Sequence, residues 1–203
     1  MKKIVLATAI AALSTAASAQ YYVQGDVGYS KLEAKADGVK TKDNATSYGI
    51  AVGTDTGNVR YQADYTNFGK IEEKGSEGTA GVVGYDEWEA TLKAQSLGLS
   101  AIYDFQTVSG FTPYAGVRVG INQLKLDDNY STYTIMPDGT YTTLSGNESF
   151  KKTQVGAGVL AGVQYAINPQ LAVDAGVEYN YLGKVEDIKL NQYGAKVGLR
   201  YNF

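Results

Sequence analysis

Apolar and polar residues alternate along much of this chain, and the alternation is clearest in the last ten residues. Counting back from the C-terminus, every second side chain is apolar, and those between are small, polar or charged. A period of two predicts a β-strand whose two faces meet different environments. The alternating apolar residues of this last strand are Ala195, Val197, Leu199, Tyr201 and Phe203.

Similar segments recur from Tyr21 onward and predict eight strands in all. Each is close to the ~9–11 residues that a tilted membrane-spanning strand needs. Long and short connections alternate, and an even strand number returns both ends to one side. We therefore predict an all-β fold, an eight-stranded antiparallel up-and-down transmembrane β-barrel with long extracellular loops and short periplasmic turns. The predicted strands lie at about 21–31, 47–54, 59–66, 96–105, 115–122, 154–165, 171–181 and 194–203.

The polarity of the two strand faces separates a membrane barrel from a water-soluble one, which would share the period with the polarity reversed. Charges cluster on one face of each strand, whereas the other is almost purely apolar and ends in aromatic residues. Two aromatic girdles separated by aliphatic residues match the two interfaces of a bilayer. The predicted girdles are Tyr29, Tyr48, Tyr65, Tyr179, Tyr181 and Tyr193 at one edge, and Tyr21, Tyr61, Tyr103, Phe105, Tyr165, Tyr201 and Phe203 at the other.

The fourth strand leaves two interpretations open. Its apolar residues from Trp88 to Ala94 have the opposite parity to those from Leu97 to Phe105. Either a β-bulge near residues 94–96 reconciles the two, or the earlier part lies above the membrane.

The N-terminus has the parts of a secretory signal peptide: a short basic start, an apolar stretch over residues 4–13, and small residues at Ala17 and Ala19. We expect cleavage after Ala19. Residues 1–19 are then the signal peptide and residues 20–203 the barrel domain.

The amino-acid composition argues against several classes of function. The chain has no Cys and no His, and its net charge is −3. Imidazole is the commonest general base near neutral pH, so the hydrolases and acyltransferases built on similar barrels have no counterpart here. The small charge and the lack of a basic patch argue against nucleic acid as a partner. We predict no enzyme, no cofactor and no metal site.

Eight charged side chains are predicted to face the barrel interior. They comprise four cations and four anions, and an eight-stranded barrel is just wide enough for its own side chains to fill. Because buried charges are costly unless paired, we expect a neutral network that plugs the lumen, with strand seven pairing to strand eight. The alternative is an ion pathway. The residues are Asp26, Arg60, Asp64, Arg118, Asp174, Glu178, Lys196 and Arg200.

The loops are the remaining surface for recognition. Loops one, two and three are predicted at residues 31–46, 67–87 and 127–152, with a brief fourth at 182–187. The Pro-Asp-Gly turn at 137–139 predicts a hairpin above the membrane. Tyr-, Ser- and Thr-rich loops make adaptable contact surfaces, although these loops could equally serve only to join strands.

The chain resembles the opacity family of outer-membrane proteins. The resemblance rests on the eight-strand pattern, on residues 111–117 (FTPYAGV), and on residues 194–203, and related small barrels of the OmpX/Ail type share these motifs. It implies a bacterial outer-membrane location, lipid around the wall, and recognition of the C-terminal strand by the barrel-assembly machinery. It also implies a surface antigen or adhesin whose loops contact a host-cell or other extracellular ligand. A narrow porin and a purely structural envelope barrel are the alternatives.

Overall fold

The computed structural model describes residues 20–36, 39–78, 85–136, 139–185 and 188–203. Within them, eight antiparallel strands pair in chain order and close into a barrel, which confirms the predicted fold class. No helix long and apolar enough to cross a membrane is present in these ranges. The predicted signal peptide lies outside them. The strands are β1 Gln20–Ala36, β2 Val39–Asp55, β3 Val59–Gly78, β4 Tyr85–Asp104, β5 Phe111–Ile135, β6 Tyr141–Ala166, β7 Leu171–Val185 and β8 Ile188–Asn202.

The stagger of the strands fixes the width of the barrel. Following paired residues around the ring from Tyr22 leads back to β1 at Leu32, which is a shear of ten residues. Eight strands with this shear tilt by about 40° and enclose a cylinder of about 8 Å radius to the backbone. Such an interior has room for side chains and little else.

The first and last described residues, Gln20 and Phe203, lie at one end of the barrel, here called the terminal end. The backbone N–H of Phe203 donates to the carbonyl of Tyr21 at 2.9 Å, which ties the last residue to the first strand. The short turns between β2 and β3, β4 and β5, and β6 and β7 lie at this end. The opposite end, called the loop end, carries the other four connections.

The strands are much longer than predicted, at 15 to 26 residues. Exposed apolar side chains on the outer wall of the barrel, such as Ile50, Leu97 and Val119, form a band that we call the apolar belt. Most of the segments predicted as loops one, two and three are paired strand that continues beyond this belt. The hairpin predicted around residues 137–139 is present, because β5 and β6 remain paired as far as Ile135 and Tyr141. The backbone N–H of Met136 donates to Thr140 at 2.7 Å, closing it.

The irregularity that the sequence suggested in strand four lies in β3 instead. The pairing of β4 with β5 is unbroken, so a bulge in β4 near residues 94–96 is wrong, which leaves the interpretation that the earlier part of this strand lies above the membrane. The register shifts between Asn67 and Gly69 on β3. Gly69 has a φ of +93°, which favours glycine, and Phe68 is buried beside it.

Above the belt the barrel wall divides into two sheets. Pairing of β2 with β3 ends at Tyr48–Asn67, and pairing of β6 with β7 ends at Ala157–Tyr181. Strands β3 to β6 continue upward as one sheet, which we call the tall sheet. Strands β7, β8, β1 and β2 continue as a second, the short sheet.

Candidate functional site: the barrel interior and the loop end

A charged layer crosses the lumen near the terminal end. Arg60 is 1% exposed and donates from Nε and from a terminal nitrogen to the two carboxylate oxygens of Asp104, both at 2.7 Å. Arg200 donates to Asp55 at 2.6 Å. Each guanidinium also lies over the ring of an inward tyrosine, at 4.9 Å for Arg60 and 4.0 Å for Arg200. Bidentate charge-assisted bonds and cation–π contacts compensate the buried charges.

A second charged layer lies at the middle of the barrel. Arg118 donates to both carboxylate oxygens of Asp64, the shortest contact being 2.5 Å, and to the hydroxyl of Ser96 at 3.0 Å. Lys196 contacts Glu178 at 3.2 Å. Both pairs join different strands across the lumen face, so they also fix the strands relative to one another.

Two of the predicted interior acids bind neutral partners instead of cations. Asp26 accepts a hydrogen bond from the amide of Gln24 at 2.9 Å, and Asp174 accepts one from the hydroxyl of Tyr114 at 2.9 Å. Strand seven was expected to pair its acids with Lys196 and Arg200 of strand eight. Lys196 does contact Glu178, whereas Arg200 donates to Asp55 on β2.

Sequence reasoning left Asp55 and Asp104 out of the interior set. Both lie at the ends of strands beside turns, and both accept from a buried arginine. Among the described residues, these two acids extend the predicted set to six carboxylates with four cations, so the neutrality predicted from the eight residues does not hold for the larger set. Their parity was a usable signal, since each falls on the inward face of its strand.

Small inward residues provide the space that the long side chains need. A Cβ added at Gly98 would clash with the guanidinium of Arg118, and one added at Gly120 would meet the same group. Gly158 and Gly162 make the same allowance for an amide and a phenol. Glycine on one strand and a large polar residue on its neighbour therefore fill the lumen together.

An apolar layer lies across the lumen at the loop end. Its members come from both sheets and are at most 8% exposed. Directly below it, the amide of Asn122 donates to the carbonyl of Leu182 at 2.9 Å. The layer consists of Leu32, Phe68, Ile71, Ala94, Leu124, Leu182 and Leu190.

The tall sheet carries an exposed apolar cluster on the face that continues the lumen side of the barrel. Its five large side chains are 40–66% exposed, and the register sets Trp88 opposite Tyr130. Five carboxylates share this face. The sequence indicates the parity of Trp88, but the other segments are predicted as loops, for which alternation assigns no face. We call the set the aromatic face: Trp88, Leu126, Tyr130, Leu144 and Phe150, with Glu73, Glu77, Asp86, Asp128 and Glu148.

The outer faces of both sheets carry ion pairs beyond the membrane span. Glu33 contacts Lys35 and Lys42, each at 2.7 Å, and hydrogen bonds from these two ammonium groups lower the pKa of Glu33 to about 2. On the tall sheet, the pKa of Asp127 is lowered to about 2, mainly by a hydrogen bond from Lys125. Both carboxylates are therefore charged at every physiological pH.

The C-terminal strand presents its apolar residues outward. Val197, Leu199 and Phe203 are more than half exposed, as expected of side chains that face lipid. β8 pairs with β1 and closes the ring. The role of this strand in assembly stays a prediction, and Ala17 and Ala19 lie outside the described residues.

Comparisons with known proteins agree on one family. Residues 52–203 match the model of the Opacity family porin protein. An uncharacterised protein of Haemophilus influenzae is 35% identical over the full length of both chains. Opacity protein opA57 of Neisseria gonorrhoeae is 32% identical, covering 76% of this chain and 77% of its own.

Solved structures show the same architecture. The crystal structure of Neisserial surface protein A superposes with a TM-score of 0.59 at 29% identity, covering 92% of this chain and 99% of that one. The wall that faces lipid, the closed ring and the family match are mutually consistent. The chain therefore belongs to the opacity family of integral bacterial outer-membrane β-barrels, and it is not an enzyme.

Proposed function

We propose that this protein acts at the cell surface as an adhesin or surface antigen, using the aromatic face of its tall sheet to contact molecules outside the cell. The observation that carries the proposal is the exposure of five large apolar side chains on one face of paired strands beyond the apolar belt. Clustered apolar surface in water is unfavourable, and such patches commonly mark interaction sites.

The interior supports a role as an anchor rather than a channel. Two layers of paired charges and one apolar layer lie in series along the lumen. The side chains of the apolar layer offer a passing ion no coordination, so crossing this layer is costly. On this proposal the barrel holds the tall sheet at a fixed height and conducts nothing.

The aromatic face is built to hold its rings in place. Trp88 packs over Gly75 on β3, and Tyr130 packs over Gly146 on β6, so in each pair the glycine leaves room for the ring. Rigid, exposed Trp and Tyr side chains lose little entropy on binding and often dominate interfaces.

The negative charges of the aromatic face favour a partner with positive charge. Within the described part of the chain, none of the five carboxylates of the aromatic face forms an ion pair, and Lys152 is the one cation on that side of β6. We infer a protein partner that offers apolar side chains surrounded by Lys or Arg, because complementary charge guides and orients association.

The test measures adhesion of proteoliposomes carrying the full chain to cultured epithelial cells. The variant W88A/Y130A should lose at least about 30-fold in binding, since truncation of a single aromatic hot spot costs about 2 kcal/mol. The control Y85A/Y133A removes two aromatic rings from the opposite face of the same strands and should bind normally. The centroids of these two rings lie 5.9 Å apart.

Three results would contradict the proposal. One is equal adhesion by both variants and the parent protein. Another is a reproducible conductance step in planar bilayers, which would instead support the narrow-porin alternative. Adhesion that is lost equally in both variants would also exclude the aromatic face as the contact. Heat-modified gel mobility verifies that each variant is folded.

A further inference from the structure

Four lysines form a continuous row across the outer face of the tall sheet. The register pairs Lys70 with Lys93, Lys93 with Lys125, and Lys125 with Lys151, so each is the direct cross-strand neighbour of the next. Their backbones are about 5 Å apart from strand to strand. On β4, β5 and β6 the alternation that directs Leu97 and other apolar residues to the lipid also directs the lysines outward, and on β3 the bulge before Gly69 brings Lys70 onto the same face.

The row carries more positive charge than the protein neutralises. Lys70 contacts Glu72 at 2.5 Å, and Asp127 contacts both Lys93 at 3.4 Å and Lys125 at 2.6 Å. Lys151 forms no ion pair within the described ranges. Two carboxylates therefore face four ammonium groups. Like charges directly opposite each other in a sheet destabilise it, so anions from outside the chain would stabilise this arrangement.

The row stands immediately above the apolar belt. On β4, β5 and β6 the outward residues follow one order toward the loop end: an exposed aliphatic residue, a neutral polar residue, then lysine. Leu97, Gln95 and Lys93 on β4 are one example. Four residues of a tilted strand rise by about 10 Å, and a lysine side chain can reach back toward the interface. The ammonium groups therefore lie at the level of the lipid headgroups.

A groove opens beside the row where β2 and β3 separate. It encloses about 520 Å³ and is lined by Tyr48, Lys70, Lys93 and Lys125, among others. Its lining combines the ring of Tyr48 with neutral polar residues and three lysines of the row. A ligand that fills it would have an apolar part below and an anionic part above.

We propose that Lys70, Lys93, Lys125 and Lys151 bind the phosphate groups of anionic lipids in the outer leaflet, with the groove at Tyr48 receiving part of the headgroup. This assignment is separate from the aromatic face, which lies on the other side of the same strands. The lipid anions complete the neutralisation of the row and hold the tall sheet at the membrane surface.

The test uses the full chain in phosphatidylcholine nanodiscs that contain a minor fraction of lipid A, a phosphomonoester glycolipid. The enrichment of lipid A around the protein is measured by mass spectrometry of the lipids that remain bound. The variant K93Q/K151Q removes two members of the row. A lysine near a charged membrane surface changes lipid affinity about fivefold, so the double variant should lower enrichment about 30-fold.

The matched control is K74Q/K152Q, which removes the same charge from the same sheet. Lys74 lies two rows higher, and Lys152 lies on the lumen side. The control should retain the enrichment of the parent protein. Unchanged enrichment in K93Q/K151Q, or an equal loss in the control, would overturn the proposal. Displacement of lipid A by millimolar inorganic phosphate would assign the row to soluble phosphate and would also refute the lipid assignment. Heat-modified gel mobility checks folding in every arm.

Discussion

The pair formed by Arg118 and Asp64 gives the sharpest test of the interior. Arg118 is 6% exposed and donates to both oxygens of Asp64, and the side chain of Asp64 is 8% exposed. Replacing Arg118 by Met keeps most of the volume and removes the charge. The carboxylate would keep one donor, the hydroxyl of Thr66 at 3.0 Å, in a site closed to bulk water.

Breaking one side of a buried ion pair costs about 3–5 kcal/mol, because an uncompensated charge remains. R118M and D64N should each fall in this range. The double variant removes both charges and should be more stable than the sum predicts, by at least about 2 kcal/mol. The exposed pair of Lys74 with Glu89, at 3.3 Å, provides the control K74M, which should cost at most about 1 kcal/mol.

The measurement is urea unfolding in detergent micelles, followed by far-UV circular dichroism and by the mobility of unheated samples on gels. Two outcomes would refute the reasoning. The first is a cost for R118M no larger than that for K74M. The second is simple additivity in the double variant, which would mean that Arg118 and Asp64 are each solvated independently in a wet lumen.

Three further predictions follow from the same contacts. Lys196→Glu places a carboxylate against Glu178, so the unfolding midpoint should fall by more than for Lys196→Gln, with no new conductance in planar bilayers. Leu124→Ala opens a cavity in the apolar layer and should cost about 2–5 kcal/mol in the same unfolding assay. Hydrogen bonds from Lys35, the larger cause, and from Lys42 lower the pKa of Glu33 to about 2. The stability this gives the β1–β2 hairpin is complete above about pH 4.3 and disappears as pH falls toward 2, so amide exchange should show acid opening that Glu33→Gln lacks.

The barrel could be predicted from sequence because its two faces meet different media. Within the membrane span, lipid on one side and packed side chains on the other impose an alternation of polarity. Above the belt both faces of a strand meet water, so the contrast that signals a strand weakens. That is why segments such as Tyr141–Phe150 were interpreted as loop although they are paired strand. The aromatic face escaped prediction for the same reason.

The interior residues were predictable by type and the contacts between them were not. Parity alone shows that Arg60 and Arg200 face inward. Which carboxylate each one meets depends on the shear of the barrel, because the tilt brings together residues that are far apart in sequence. Arg200 meets Asp55 across 145 positions of the chain. No spacing rule along a single strand contains that information.

The bulge at Gly69 determines which residues of β3 belong to the apolar layer and which belong to the lysine row. Without it, alternation from Asn67 onward would direct Lys70 into the lumen and Ile71 to the lipid, because a shift of one residue exchanges the faces of a strand. With it, Ile71 joins the apolar layer and Lys70 joins the lysine row. A Cβ at this position would meet Ala45 on β2, so the backbone approach also demands glycine. One residue thus determines both which side chain joins the apolar layer and which joins the lysine row, and a local change at this point should disturb both together.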